Sequence, residues 1–149
     1  MRQPPRDPKR SIFSPPVVIL LLVGGFWSTA IGLTIFLGSL SLGRPLEESM
    51  AMTFLALVLI ELFEVYSFRS DRHSVLTSPF ANRWLNIAIV AELGLLLVIV
   101  YLPMLQLPFG TFSLTAFDWA LVLGLALTVI PILELTKLSI RRGLLGPAN

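Results

Sequence analysis

Four long apolar segments dominate the pattern of hydrophobic and polar positions along the chain. They cover about residues 17–40, 50–68, 84–102 and 119–138. An α-helix rises about 1.5 Å per residue, so each segment is close to the roughly 20 residues that cross a bilayer core. The pattern therefore predicts an all-α membrane protein with four transmembrane helices. They would form a single domain over residues 1–149, with a tail outside the membrane at about 1–16.

Proline and capping residues mark the ends of the later helices. Pro103 and Pro108 cannot continue an ordinary helix, so they predict the end of the third one. Thr115 followed by Asp118 resembles a capping box and predicts the start of the fourth. Pro131 lies inside that fourth helix and predicts a kink there.

The distribution of basic residues predicts the orientation in the membrane. All but one of the 11 lysines and arginines fall before the first helix, between the second and third, or at the end of the fourth. They are Arg2, Arg6, Lys9, Arg10, Arg69, Arg72, Arg83, Lys137, Arg141 and Arg142. Only Arg44 lies on the other side, so the positive-inside rule places both termini and the middle loop in the cytoplasm.

Composition agrees with a lipid environment and excludes several kinds of site. The chain is 55% hydrophobic and 13% charged, with a mean hydropathy of +0.84 and a pI near 9.5. In a membrane protein this basic balance reflects topology and contact with anionic lipid, so we expect no nucleic-acid partner. The chain has no cysteine, which excludes disulfides and thiolate metal sites. We expect an integral protein of the cell membrane.

Small side chains recur along the first helix. Gly24, Ser28 and Gly32 stand at every fourth position and therefore share one face. Such stripes allow another backbone to approach closely in membrane helices. We predict that this stripe is a packing surface; the alternative is the general abundance of glycine in membrane helices.

Three glutamates lie inside apolar segments, and they are the candidate functional residues. Glu61 and Glu64 stand one turn apart on the same face of the second helix, and Glu92 is near the middle of the third. A charge at the bilayer centre costs about 2.5 to 3.5 kcal/mol on insertion scales. Protonating a glutamate at pH 7 costs roughly 3.7 kcal/mol.

Because these two costs nearly cancel, an intramembrane glutamate can bind a cation or exchange a proton. The alternative for each acid is a protonated carboxyl that hydrogen-bonds to a neighbouring helix. For Glu64, pairing with a nearby arginine is a further alternative. We predict Glu61 as a possible cation ligand, with Glu64 and Glu92 as weaker candidates. Calcium needs six to eight oxygen ligands, so this chain would need helices from elsewhere to complete a cage.

Several stretches together resemble the C-terminal membrane domain of P-type cation-transporting ATPases of the calcium-pump class. They run in order along almost the whole chain: "MRQPPRDPK", "AMTFLALVLIELFEVYSFRS", "NRWLNIAIV", "VYLPMLQLPFGTFSLTAFDWALVLGLAL" and "PILELTKLSIRR". The resemblance implies the last four of that family's ten membrane helices, with cytoplasmic termini.

The resemblance also assigns roles to individual residues. Glu61 falls where calcium pumps of the sarcoplasmic-reticulum type place a coordinating glutamate and many relatives carry glutamine. Glu64 stands where asparagine is commoner, and Glu92 has no matching position. The family's other cation ligands lie on its fourth, fifth and sixth helices, which this chain lacks. Calcium or another cation is therefore expected only in a complete pump.

The chain also lacks the Asp-Lys-Thr-Gly phosphorylation motif and the nucleotide-binding domain, so it is not expected to be an enzyme by itself. It is expected to work with the missing helices and cytoplasmic domains or to self-associate, as a truncated or split pump, a fragment, or an independent subunit. Two other hypotheses stay open. One is a small proton-coupled exporter that uses Glu61, and the other is a non-transporting membrane scaffold.

Overall fold

A computed structural model describes residues 14–68 and 82–145, which form helices joined by short connections without any strand. The helices are α1 (Pro15–Ser41), α2 (Leu46–Phe68), α3 (Arg83–Tyr101), α4 (Pro103–Phe109), α5 (Ala116–Leu127) and α6 (Val129–Arg141). Most of the predicted N-terminal tail lies outside the described residues, as do Arg69 and Arg72 of the middle loop.

Four helical stretches are long and apolar enough to cross a membrane. These are α1, α2, α3 and the combined stretch of α5 and α6, Ala116–Arg141. The all-helical fold with four membrane-spanning helices is therefore confirmed. The cytoplasmic placement of the termini stays a prediction.

The helices differ from the sequence prediction in two ways: α2 starts earlier, and an additional short helix follows α3. Helix α2 begins at Leu46, about four residues earlier than expected, with Glu47 and Glu48 in its first turn. Acidic side chains there are favourable because the N-terminus of a helix carries partial positive charge. Pro103 ends α3 as predicted, but it also opens α4, where its missing N–H costs nothing.

The fourth span is interrupted at Thr128. Helix α5 ends at Leu127 and α6 begins at Val129. Pro131 has no N–H to donate to the carbonyl of Leu127, so the hydrogen-bond ladder fails at this point, as its position predicts. The indole N–H of Trp27 in α1 donates to the Thr128 hydroxyl at 3.0 Å and fixes the interruption against the first helix.

Helix α2 lies at the centre of the bundle and contacts α1, α5 and α6. In its most apolar 18-residue window 44% of the residues are buried, against 17% for α3. The contacts of α3 are chiefly with the short α4. Helix α2, which carries Glu61 and Glu64, is therefore the most buried of the four spans. Helix α3 lies at the edge of the molecule.

Candidate functional site

Glu61 lies on the exposed side of α2. Along this side Phe54 and Val65 are 43% and 48% exposed, and Glu61 is exposed between them. Within the described residues its carboxylate has no hydrogen-bond or ion-pair partner. It stands about 10 Å from the end of the helix at Phe68, at a rise of about 1.5 Å per residue. Its oxygens are therefore available to groups outside this chain.

Glu64, one turn further along, meets a different environment. Its Oε1 lies 2.7 Å from the Ser28 hydroxyl of α1, and the side chain is half-buried. The two acids are close together on the helix surface but have different neighbours. A spacing of three residues rotates them apart by about 60° on the helix, and α1 covers only one of the two positions.

Ser28 links Glu64 to the first helix. Its hydroxyl donates to Glu64 Oε1 at 2.7 Å and lies 2.8 Å from the carbonyl oxygen of Gly24, one turn earlier in α1. The single hydroxyl hydrogen is therefore shared between an acceptor in α2 and an acceptor in its own helix. This hydrogen bond joins α1 to α2 at the level of Glu64.

The small residues of α1 lie along its contact with α2. A Cβ added to Gly24 would come within 2.9 Å of Glu64 Oε1, and one added to Gly32 would lie 3.4 Å from Leu57. Ser28, between them, carries the hydrogen bond to Glu64. Gly24 in particular leaves the space that the Glu64 carboxyl occupies.

Glu92 is the tenth of the 19 residues of α3 and is exposed. It nevertheless stands four and seven residues before Leu96 and Ile99, which are both buried. This spacing places it on the inward side of the helix. Like Glu61, it has no partner within the described residues. Glu92 is therefore on the side of α3 that faces the bundle, but no described residue covers its carboxylate.

The three acids are not gathered into one cage. No group of three or more acidic or histidine side chains that could hold a metal ion occurs in the described ranges. Glu61 and Glu92 are exposed on separate helices, while Glu64 is bound to α1. By themselves they supply single carboxylates, far short of the six to eight oxygens that calcium prefers.

A buried lysine holds the end of α2. Lys137 of α6 is 1% exposed, and its Nζ lies 3.0 Å from Glu134 Oε1, one turn earlier in the same helix. The same Nζ donates to the carbonyl oxygen of Ser67 at 2.7 Å. A cation at the C-terminal carbonyls of a helix is favoured by the helix dipole. Lys137 thus caps the helix that carries Glu61.

A second ion pair closes the opposite end of the bundle. Arg44, between α1 and α2, lies 2.5 Å from Asp118 in the first turn of α5, and Asp118 is 1% exposed. The other carboxylate oxygen of Asp118 accepts from the N–H and the hydroxyl of Thr115, completing the predicted capping box. Arg44 stands out in the sequence as the one basic residue on its predicted side of the membrane. The sequence does not indicate its partner, which is 74 residues away.

The architecture and the site define a class of protein: a helical membrane domain whose central helix exposes a carboxylate that no described residue pairs with. Comparison with known proteins identifies the family. Residues 1–139 match the family described as "Cation transporting ATPase, C-terminus". The chain belongs to this family.

Full-length relatives show how much of a pump this chain represents. The chain is 32% identical over 130 residues to a calcium-transporting ATPase of Bacillus subtilis, which covers 85% of this chain and 14% of that protein. It is 30% identical over 138 residues to the human calcium-transporting ATPase type 2C member 1, which covers 92% and 15% of the two chains. The chain therefore spans about one-seventh of the relatives that it matches.

Proposed function

We propose that this domain supports the transport helices of a calcium-transporting ATPase and contributes Glu61 to a cation site that helices outside this chain complete. The observation that carries the proposal is the exposure of Glu61 on the central, otherwise well-packed helix α2. An acid facing lipid at this depth costs about 2.5 to 3.5 kcal/mol, so the exposed side of α2 is better explained as a contact with further helices. The relatives named above transport calcium, which makes calcium the proposed ion.

Glu64 and Glu92 have different parts in this proposal. Glu64 already has a partner in Ser28 and serves mainly to join α1 to α2. Glu92 has no partner among residues 14–68 and 82–145, so it is the weaker of the two candidates that remain open to an outside helix or ion. The domain itself would hydrolyse no ATP.

The test is to co-express this chain with the remaining helices and cytoplasmic domains of a calcium-transporting ATPase and to measure ATP-dependent calcium uptake into membrane vesicles. We expect the pair to restore uptake and Glu61→Ala to abolish it, because a coordinating charge is lost. Glu47→Ala is the matched control, since Glu47 is exposed on the same helix but in its first turn. Uptake that survives Glu61→Ala would remove Glu61 from the site.

The same preparations separate the two other hypotheses. A flux driven by a pH gradient without ATP, from this chain alone in liposomes, would establish the exporter instead. Unchanged uptake by the assembled pump after both Glu61→Gln and Glu92→Gln would leave the domain a scaffold.

A further inference from the structure

The connection between α3 and α5 exposes large apolar side chains. In α4, Leu107 is 91% exposed and Met104 is 81% exposed, more than any other large apolar residue in the described part of the chain. Residues 102–117 contain no charged side chain. Apolar surface left in water costs about 25 cal/mol per Å² relative to burial. An aqueous loop of this composition would therefore be unfavourable.

The polar side chains of this connection turn toward the protein. The Gln106 amide donates to the carbonyl of Val100 at 2.6 Å, and the Thr111 hydroxyl donates to the carbonyl of Ile99 at 2.8 Å. Both carbonyls lie in the last turn of α3, where no N–H of that helix can reach them. For Ile99 the residue four positions on is Pro103, which has no N–H to give.

Water normally binds such helix-end carbonyls at an aqueous surface. Here Gln106 and Thr111 bind them, while Met104 and Leu107 face outward. Where the surroundings offer no hydrogen bonds, polar groups must point into the protein and apolar groups outward. The polarity of the connection is therefore that of a segment surrounded by lipid.

An aromatic pair lies at the same level. The Trp119 indole donates to the Tyr101 hydroxyl at 2.7 Å, and that hydroxyl donates to the carbonyl of Leu114 at 3.2 Å. Tyrosine and tryptophan concentrate where the acyl chains meet the headgroups. The pair joins the end of α3 to the start of α5, directly beside α4, and marks this level as the membrane boundary.

The other connection on this side of the bundle has the opposite character. The Arg44–Asp118 pair shows that the α1–α2 connection and the start of α5 lie at the same end of the molecule. The α1–α2 connection carries Arg44, and the first turn of α2 that follows it carries Glu47 and Glu48; these charges suit water. Leu42 and Leu46 are exposed there too, so the two connections differ in charge: the α1–α2 connection carries charged side chains and α4 carries none.

We infer that α4 lies in the membrane interface, with Met104 and Leu107 inserted into the lipid leaflet on the side of the α1–α2 connection. The partner is the lipid itself, because the exposed surface of α4 continues the apolar outer surface of α3 without an intervening charge. Helix α4 then fixes the depth of the end of α3 and the start of α5.

The absence of cysteine from the chain makes a clean test possible. Leu107→Cys and Met104→Cys are each labelled with an environment-sensitive fluorophore in the full chain, which is reconstituted into phosphatidylcholine vesicles. Glu47→Cys is the water control, and Val90→Cys, 69% exposed near the middle of α3, is the deep control. Emission is quenched by iodide on both sides of the membrane, or by lipids with a nitroxide near the headgroup or near the chain end.

We expect the probes in α4 to lose most of their emission to the shallow nitroxide and little to iodide, with a blue-shifted maximum relative to the probe at position 47. The probe at position 90 should respond mainly to the deep nitroxide. Iodide quenching in α4 as strong as at position 47 would place α4 in water. Protection from iodide and from both nitroxides would show that protein covers it. Either result overturns the inference, and the two α4 positions serve as independent tests if one variant fails to reconstitute.

Discussion

At the scale of single residues, the absence of a side chain at Gly24 decides how α1 and α2 meet. The Glu64 carboxyl occupies the space that a Cβ would need, and Ser28 one turn away binds it. The neighbouring Gly25 has no atoms close enough to meet a Cβ. Two adjacent glycines therefore differ completely in what a methyl group would do.

Gly24→Ala is expected to destabilise the protein, because the added Cβ forces Glu64 away from α1. The displaced atom is the end of a flexible side chain, so the expected cost is that of its hydrogen bond to Ser28, about 0.6 kcal/mol. Gly25→Ala is the matched control and should be neutral or slightly stabilising, since alanine favours helix. The measurement is the free energy of unfolding in mixed micelles with increasing denaturing detergent. Equal effects of the two changes would contradict the packing described above.

Ser28→Ala tests the hydrogen bond itself. Losing the hydroxyl should lower the free energy of unfolding by about 0.6 to 1.7 kcal/mol, the range found for hydrogen bonds between membrane helices. Thr29→Ala is the control, because the Thr29 hydroxyl is exposed and bonds only to the carbonyl of Gly25 in its own helix. In this case the idea fails if Ser28→Ala has no more effect than Thr29→Ala.

The sequence alone could not predict that Glu61 and Glu64 have different environments. Periodicity places both acids within about 60° of each other on the helix, and only the position of α1 separates them. The stripe Gly24, Ser28, Gly32 could be read from its four-residue spacing, because that spacing is a local property. Which acid faces the stripe depends on the crossing of two helices, which no local pattern encodes.

At the scale of elements, α6 holds the end of α2. Lys137 is almost completely buried and gives hydrogen bonds to the Ser67 carbonyl and to Glu134. Ser67 is the last residue but one of α2, so its carbonyl lacks an N–H partner within the helix. The ammonium group therefore fixes the end of the helix that carries both acids.

Lys137→Met should destabilise the protein by about 1 to 3 kcal/mol, the cost of leaving a buried polar group unsatisfied. Lys137→Arg, which keeps the charge and donors, should recover part of the loss. Arg141→Met is the control, because Arg141 is exposed in the last turn of the same helix. Thermal unfolding in detergent monitored by circular dichroism gives the ranking, and a Lys137→Met protein as stable as Arg141→Met would refute it.

The prolines gave one correct and one incomplete prediction of where helices are interrupted or end. Pro131 indicated the interruption of the fourth span, because a missing N–H has the same effect in any helix interior. Pro103 and Pro108 were read only as stop signals. Pro103 also fits the first position of a new helix, and Pro108 is tolerated within α4, so the same residues end α3 and form the next helix. Whether a proline stops or starts a helix depends on where the chain turns.

At the scale of the whole molecule, charged side chains join helices at both ends of the bundle. Arg44 and Asp118 join α5 to the connection before α2, and Lys137 joins α6 to the end of α2. The 23 residues of α2 separate them by about 34 Å. The two contacts share no partner and clamp opposite ends of the central helix.

Asp118→Asn is expected to cost about 1 to 3 kcal/mol, because an amide replaces the buried carboxylate that pairs with Arg44 and leaves only the longer contact with Glu48. Combined with Lys137→Met, the two losses in free energy of unfolding should add to within about 0.5 kcal/mol, as they do for distant sites. A double-mutant cycle in mixed micelles measures this. A coupling well above that value would show that the two ends of α2 are not independent.

The sequence was sufficient for the class of the molecule but not for its site. Apolar segments long enough to span a membrane specify four helices, and the motifs that resemble a pump agree with the family match over residues 1–139. The cation site could be predicted only as Glu61 with missing neighbours. Its other ligands would lie on chain that this sequence does not contain, so neither the pattern nor the fold supplies them.

The fit of Glu64 against Gly24 also has a mechanical consequence. The carboxyl is seated where one side chain is missing, and Leu20, one turn before, is buried and bulky. Sliding α1 along α2 by a turn would drive the acid against leucine. The fit therefore opposes sliding of one helix along the other, and we expect α1 and α2 to move as a unit.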